Sequence, residues 1–390
     1  MGTIDIEAKG TNTYKSTMMS NPGQRPAISP KHIAIAGVIA FIAASLWPPI
    51  LLIVSFFLSL TAPKLFFEND SAEGRRVLYK QFLQRGDLPD AMKCDGIDLE
   101  EAYWANSRGM ILATSIMRPK DTPIKAVVCF CHGFLGSSSY LIRCEYQRMV
   151  RAGIAFVTID YEGHGLSDGQ QGLIPNWERL CDDTLTYFEE TLSKKFPSTP
   201  SFLCGESMGG ACCFTIYNKK PQLFKGVVFH APMCKIKKEM LPPPLVVKIF
   251  LAVVGEKGSS AFSRLPIAPS KKSLLNDVFK SEEKRKLAKD TPLYYGDRKP
   301  RLASARELLR VSGMVSSNLK SFNAPFLVQH GKSDVVTDPA LSQALYDEAA
   351  SSDKSIKLYD GMWHSINIGE SDSNLEIVFR DSIQWILKRS

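Results

Sequence analysis

The sequence contains no CxxC pair and no cysteine–histidine cluster at zinc-ligating spacing, which excludes zinc fingers and ribbons. Nine cysteines in 390 residues are too sparse for a disulfide framework, and an odd number cannot pair completely within one chain. Cys129, Cys131, Cys204, Cys212 and Cys213 fall in apolar runs, where a free thiol behaves as a small hydrophobe; a reducing compartment is expected. Glycine and proline number 26 and 23, with 44% hydrophobic and 23% charged residues, so the chain is not collagenous, coiled-coil or wholly disordered. At this length a single minimal domain is not expected.

Excess charge is also missing over most of the chain. Of the net +8, the segment from Lys235 to Arg301 carries 16 Lys/Arg against 7 Asp/Glu, or +9, and the other 323 residues sum to −1. No nucleic-acid motif and no aromatic-basic stacking pattern accompanies that segment, so no nucleic-acid partner is expected. An anionic membrane surface, an anionic substrate or plain solvated helices remain open.

Residues 1–32, rich in Thr, Ser, Asn, Gly and Pro, read as a disordered tail. The 28 residues from Ile33 to Leu60 carry no charge; as a straight helix they would run about 42 Å, more than the roughly 30 Å a bilayer core requires. The run starts too late and is too long for an ordinary cleaved signal peptide. Residues 33–62 are therefore expected to anchor the chain in a membrane. Trp47-Pro48-Pro49 interrupts the run, which leaves a kinked span and a shallow hairpin both open. Lys/Arg counts flanking the segment are nearly equal, so they do not set its orientation.

Short apolar runs then alternate with helical periodicity. Expected strands are Met110–Met117, Ala126–Cys131, Ile154–Ile159, Ser201–Cys204, Gly226–His230, Pro325–Gln329 and Ile356–Tyr359, and expected helices include Trp177–Leu192, Pro339–Ala350 and Leu375–Leu387. The strand runs are continuous rather than alternating, as in strands buried on both faces. This is an α/β chain with a mainly parallel sheet covered by helices on both faces. The basic segment interrupts the rhythm and reads as an inserted helical cap at 235–301, dividing the core into 63–234 and 302–390.

Gly205-Glu206-Ser207-Met208-Gly209 follows an apolar strand and opens a helix, the setting of a nucleophile elbow. A serine hydroxyl needs a histidine to remove its proton and a carboxylate to fix that histidine's tautomer. Asp334 and His364 follow in the chain order Ser, Asp, His, each just beyond an expected strand. There are six histidines. His32 borders the apolar segment, His230 closes a strand as a packing residue, and His132, His164 and His330 precede glycines at strand ends, where structural roles are expected. His364 is the candidate base. Acyl transfer also needs two backbone donors for the oxyanion, and the N–H groups of Met208 and Phe134 are the candidates. The loop Asp160–Gly169 lacks both GxGxxG and EF-hand carboxylate spacing and is expected at the rim of the site. No metal or organic cofactor is implied.

HGFLGSS from His132, DYEGHGLSDG from Asp160, GESMGG from Gly205, RLASARELLR from Arg301, HGKSDVVTDP from His330 and SSDKSIKLYDGMWHS from Ser351 together resemble the monoacylglycerol lipase-like branch of the α/β-hydrolase superfamily. Plant caffeoylshikimate esterases and lysophospholipase-like proteins belong to this branch. The resemblance implies an α/β-hydrolase fold with the triad Ser207, Asp334 and His364, oxyanion donors at Phe134 and Met208, and a cap shaping the acyl tunnel. The apolar cap run around Leu245, Phe250 and Val254 is the expected substrate-binding stretch. The expected activity is a membrane-associated monoacylglycerol lipase or lysophospholipase with its catalytic domain facing the cytosol from an endomembrane. The alternatives are an esterase or acyltransferase for soluble phenolic esters, or a slow-turnover receptor built on the same fold. Oligomeric state is not legible from the sequence.

Overall fold

The computed structural model describes residues 70–85, 88, 94–138, 140–234, 261–268, 274–294 and 298–390. The expected anchor at 33–62 and the cap residues Leu245, Phe250 and Val254 lie outside the described residues. Among the described residues no helix is long and apolar enough to cross a membrane.

Eight strands form one sheet: β1 (Ile97–Ala105), β2 (Ile111–Pro119), β3 (Ala126–Cys131), β4 (Ile154–Ile159), β5 (Ser201–Glu206), β6 (Val227–His230), β7 (Phe326–Gly331) and β8 (Lys354–Tyr359). Their spatial order is β1-β2-β4-β3-β5-β6-β7-β8. β2 runs antiparallel to β1 and β4, and every later pairing is parallel. Five of the seven expected strands shift by one to two residues at one or both ends. β1 was not expected at all. Its sequence IDLEEAYWA is acidic and it pairs only with β2 at the sheet edge, so one flank stays wet and the apolar alternation is incomplete.

The continuous apolar strands sort their side chains by parity, as the pleat requires. Val128 and Phe130 face α2 (Leu141–Arg151) and α9 (Asp372–Leu387), packing with Tyr146, Met149, Phe379 and Ile386. Val127, Cys129 and Cys131 face α3 (Trp177–Lys195), α4 (Met208–Lys219) and α7 (Leu302–Ser317), packing with Trp177, Phe188, Phe214 and Val311. Each fully buried Phe or Leu in these layers contributes roughly 1.5–3 kcal/mol. All nine thiols are free, eight of them buried.

Helix α1 (Ala72–Leu83) precedes the sheet, and α8 (Pro339–Glu348) covers its far edge. Between β6 and α7, in the segment expected as a cap, stand α5 (Leu274–Val278) and α6 (Glu282–Asp290). Helix α6 is capped at its start: Ser281 Oγ accepts Lys284 N–H at 3.3 Å, with Glu282 and Glu283 in the first turn.

Candidate active site

Strand β5 ends at Glu206 and α4 begins at Met208, leaving Ser207 alone in the turn. Its backbone stands at φ 53° and ψ −118°, a region costly for a residue with a side chain. The turn is held from both sides: Ser207 N–H donates to His230 C=O at 3.0 Å, and Ser207 C=O accepts from Gly210 and Met233 N–H, each at 2.9 Å. The tightness demands glycine. A Cβ on Gly209 would stand 1.9 Å from Cys131 O, and one on Gly205 would stand 2.4 Å from Gly209 O. Serine is a favoured N-cap because its hydroxyl can take a first-turn N–H, yet Ser207 makes no such bond. Its hydroxyl is left for other work.

Past β7, Asp334 turns back into the protein. Its Oδ1 accepts the N–H groups of Val336 at 2.7 Å and Thr337 at 3.0 Å. Its Oδ2 accepts His364 Nδ1–H at 2.7 Å, Thr337 Oγ1–H at 2.8 Å and His330 Nε2–H at 2.9 Å. Burial works to raise the Asp334 pKa, but the neighbouring His364 and the hydrogen bonds from both imidazoles prevail and hold it well below the usual carboxylate range. His364 is 3% exposed. Burial disfavours its cation, and the Asp334 carboxylate with a further contribution from Glu206 outweighs that, so its pKa lies above that of ordinary imidazole.

The loop after β3 passes directly over the turn: a Cβ on Gly133 would lie 3.6 Å from Ser207 Cβ. Phe134 is the next residue, and Met208 is the first residue of α4. The loop is fastened beneath. Asp160 Oδ1 accepts Ser138 N–H at 2.6 Å and Ser138 Oγ–H at 2.7 Å, and Oδ2 accepts Leu166 N–H at 2.9 Å. His132 Nδ1–H donates to Gly133 C=O at 2.8 Å while Nε2 accepts Tyr161 N–H at 3.2 Å. Burial keeps this imidazole neutral, its pKa lowered to about 4. The structural role expected of His132 thus has concrete partners, while no residue of the 160–169 loop, expected at the rim of the site, lines the cavity that Ser207 and His364 share.

Ser207 and His364 line one cavity of about 220 Å³, walled by Phe134 and Leu135 from the β3 loop, Tyr140, Leu141 and Ile142 at the start of α2, Val278, Phe279 and Leu293 from the segment between β6 and α7, and Val336. Asp334 is not in its wall and reaches the cavity only through His364. Four contributors lacked a local sequence signal. His330, expected in a structural role at a strand end, shares the Asp334 carboxylate. Glu206, which lines the cavity, accepts Ser365 Oγ–H at 2.6 Å and Asn367 Nδ2–H at 3.2 Å. The two Glu206 pairs span 159 and 161 residues, so only the fold joins them.

Residues 122–372 match the Hydrolase_4 family, described as serine aminopeptidase, S33. The caffeoylshikimate esterase of Arabidopsis thaliana is 31% identical over 75% of this chain and 86% of its own. The human monoglyceride lipase is 25% identical over 78% of this chain and 91% of its own. A solved structure of a soluble variant of the Saccharomyces cerevisiae monoglyceride lipase, in complex with a substrate analogue, superposes with a TM-score of 0.63 at 20% identity, covering 74% of this chain and 94% of that one. With its sheet order, its serine turn and these likenesses, the chain belongs to the Hydrolase_4 family of α/β-hydrolases and to the carboxylic ester hydrolase class of enzymes.

Proposed function

We propose that the protein is a membrane-anchored serine hydrolase that cleaves lipid esters of the monoacylglycerol or lysophospholipid type. The observation that carries this reading is the shared cavity: Ser207 and His364 open onto one mainly apolar chamber, and Asp334 lies 2.7 Å behind the imidazole. Ser207 Oγ attacks the ester carbonyl as His364 takes its proton. Asp334 fixes the tautomer that donates from Nδ1 and stabilises the imidazolium. The N–H groups of Phe134 and Met208 receive the oxyanion. His364 then protonates the leaving alcohol, and water, activated by the same imidazole, releases the acid from the acyl-enzyme.

Residues 1–32 form a tail and 33–62 the anchor, with the core at 63–234 and 302–390 and the cap at 235–301. The cap's basic surplus and the apolar run around Leu245, Phe250 and Val254 deliver the chamber mouth to an endomembrane from the cytosolic side. The nine free thiols suit a reducing compartment.

A second reading has support of its own, since 31% identity is shared with an esterase named for a soluble phenolic ester. The two separate in one experiment. Full-length protein and its Ser207→Ala variant are incubated with monoacylglycerols, lysophosphatidylcholine and caffeoylshikimate, and products are followed by mass spectrometry. Fatty acid release that falls by about 10⁴-fold or more in the variant establishes the lipase. Selective cleavage of the phenolic ester transfers the assignment to the second reading, and ligand binding without turnover of any ester overturns both.

A further inference from the structure

Glu206 is a carboxylate at 7% exposure in the wall of a cavity to which the described residues contribute no lysine or arginine. A buried carboxylate is costly unless its oxygens are bonded. Its partners here are Ser365 Oγ–H at 2.6 Å on Oε1 and Asn367 Nδ2–H at 3.2 Å on Oε2. Both donors are neutral, so they solvate the charge without cancelling it. Glu206 immediately precedes Ser207, and Ser365 immediately follows His364. The Ser365–Glu206 bond therefore ties the serine turn to the histidine loop, residue beside residue.

The groups around His364 are few. From the β7 loop comes Asp334, its Oδ2 shared with His330 and Thr337. From β5 comes Glu206, whose charge reaches the imidazole. On the histidine loop itself, Glu370 accepts Trp363 N–H at 2.7 Å and Asn374 Nδ2–H at 2.8 Å. The cap's Lys280 lies outside on Gly361 C=O at 2.7 Å and is exposed. Behind Glu206, Asn367 Nδ2 also donates to Tyr146 OH at 3.1 Å, and that hydroxyl meets His230 Nδ1 at 3.2 Å. Burial keeps His230 neutral, its pKa lowered to about 4, so this side supplies no cation.

We infer that Glu206 is a positioning residue for the hydrolysis: it clamps the histidine loop to the serine turn and gives the His364 imidazolium a second counter-charge besides Asp334. This rests on the reading of Ser207 and His364 given above. In that reaction the cation exists only while His364 holds a proton, between attack and departure of the alcohol and again as water attacks the acyl-enzyme, so a fixed negative charge near it favours those states over the resting state. The same charge disfavours anionic groups in the chamber.

The test uses full-length protein and p-nitrophenyl butyrate, with kcat and KM measured from pH 5 to 9, and the His364 ring titrated by NMR; six histidines keep that spectrum assignable. Glu206→Gln should move the acid limb of kcat/KM, and the His364 midpoint, down by about one pH unit, the low end of what one nearby charge does, with kcat lowered about tenfold. Glu206→Asp, keeping the charge, should leave the limb near wild type. Ser365→Ala strips a donor from Glu206 and should move the limb up by a few tenths. A lower rate with an unmoved limb and midpoint in Glu206→Gln overturns the inference. If that variant fails to fold, an unmoved midpoint in Ser365→Ala overturns it instead. Wild-type protein that hydrolyses no ester would sink the underlying reading alone, because the NMR midpoint still reports on Glu206.

Discussion

His330 and His364 donate to the same oxygen of Asp334, at 2.9 and 2.7 Å, one from the end of β7 and one from the loop past β8. Ser342 Oγ lies 2.6 Å from the other nitrogen of His330. Asp334 is thus fixed from the side opposite the cavity, and its orientation does not depend on His364. His330→Ala should leave Asp334 Oδ2 with two donors in place of three and Ser342 unpartnered. The expected cost is about 2–3 kcal/mol of stability, as for a lost hydrogen bond to a charged group, and a roughly tenfold lower kcat with KM nearly unchanged. Urea unfolding and steady-state ester hydrolysis check the two numbers separately.

Asp334→Asn keeps the shape of that cluster and changes its chemistry. The amide nitrogen competes for the two backbone N–H donors on Oδ1 or for the imidazole on Oδ2, and either choice sets a donor against a donor. His364 then loses the tautomer that leaves Nε2 free to accept. A kcat lower by about 10⁴-fold with the fold retained is the expected outcome. Loss of less than tenfold would remove Asp334 from the triad.

How much of this was readable beforehand depended on whether the signal was local. The run Ala126–Cys131 is apolar without a break and became a strand buried on both faces, and Gly205 and Gly209 marked the turn because the backbone there approaches within contact distance of itself. β1 escaped because its acidic side chains find their partners outside the strand: Asp98 and Glu100 meet Arg118 at 2.9 and 3.0 Å, and Glu101 meets Arg143 at 2.5 Å. Those pairs form across strand and helix, where no periodicity within β1 announces them. Glu206, Ser365 and Asn367 escaped for the same reason. A glutamate before the serine is simply a polar letter until the fold sets the histidine loop upon it.

Gly209→Ala tests the tightness of the serine turn. The added methyl meets two backbone groups, Cys131 O at 1.9 Å and His132 O at 2.8 Å, and backbone cannot rotate aside as a side chain can. The collision also pushes on the strand end that carries the Gly133–Phe134 loop. A loss of about 3 kcal/mol or more is expected, at the upper end of overpacking effects. A thermal midpoint within a degree of wild type would mean that the turn has slack.

Acid should destabilise the protein before it protonates Asp334. His132, His164 and His230 are buried and neutral, with pKa values lowered by desolvation to about 4, 3 and 4. The unfolded chain binds their protons near pH 6.5, so stability is lost as pH falls below that value, by at most about 1.4 kcal/mol per pH unit for each ring. Asp334, with its pKa lowered, contributes stability that is lost only below its unfolded value near 3.8. His364, with its pKa raised, contributes fully below 6.5 and loses its contribution at higher pH. Asp160 and Glu162, raised by burial, take up protons in the folded state and soften the slope at its acid end. Urea midpoints at half-unit steps from pH 7.5 to 4.5 should fall steadily below 6.5, and His230→Gln should flatten that slope by about a third. A flat profile would contradict the buried neutral rings.

Helix α6 is tied to the far wall of the chamber through Lys284. Lys284 in α6 reaches Glu145 in α2 at 2.6 Å and Asp372 at the start of α9 at 3.1 Å, while Ser281 N–H donates to Gly369 C=O at 2.8 Å. Glu145 is 3% exposed and also pairs with Arg148, so this contact is more than a surface ion pair, and removing one partner leaves a buried charge short of counter-charge. Ala288 of the same helix lines the cavity. Lys284→Met keeps most of the side chain's apolar length and deletes its charge. The expected cost is about 1–2 kcal/mol, below that of a fully buried pair because Arg148 still serves Glu145, and it should fall locally. Hydrogen exchange should quicken about tenfold in residues 282–290 and stay unchanged in β3 to β5, which share no contact with Lys284. KM should rise for long-chain esters that need the wall and hold for short ones. Exchange that quickens equally across the sheet would show that the tie stabilises the whole core instead of holding one wall of the chamber.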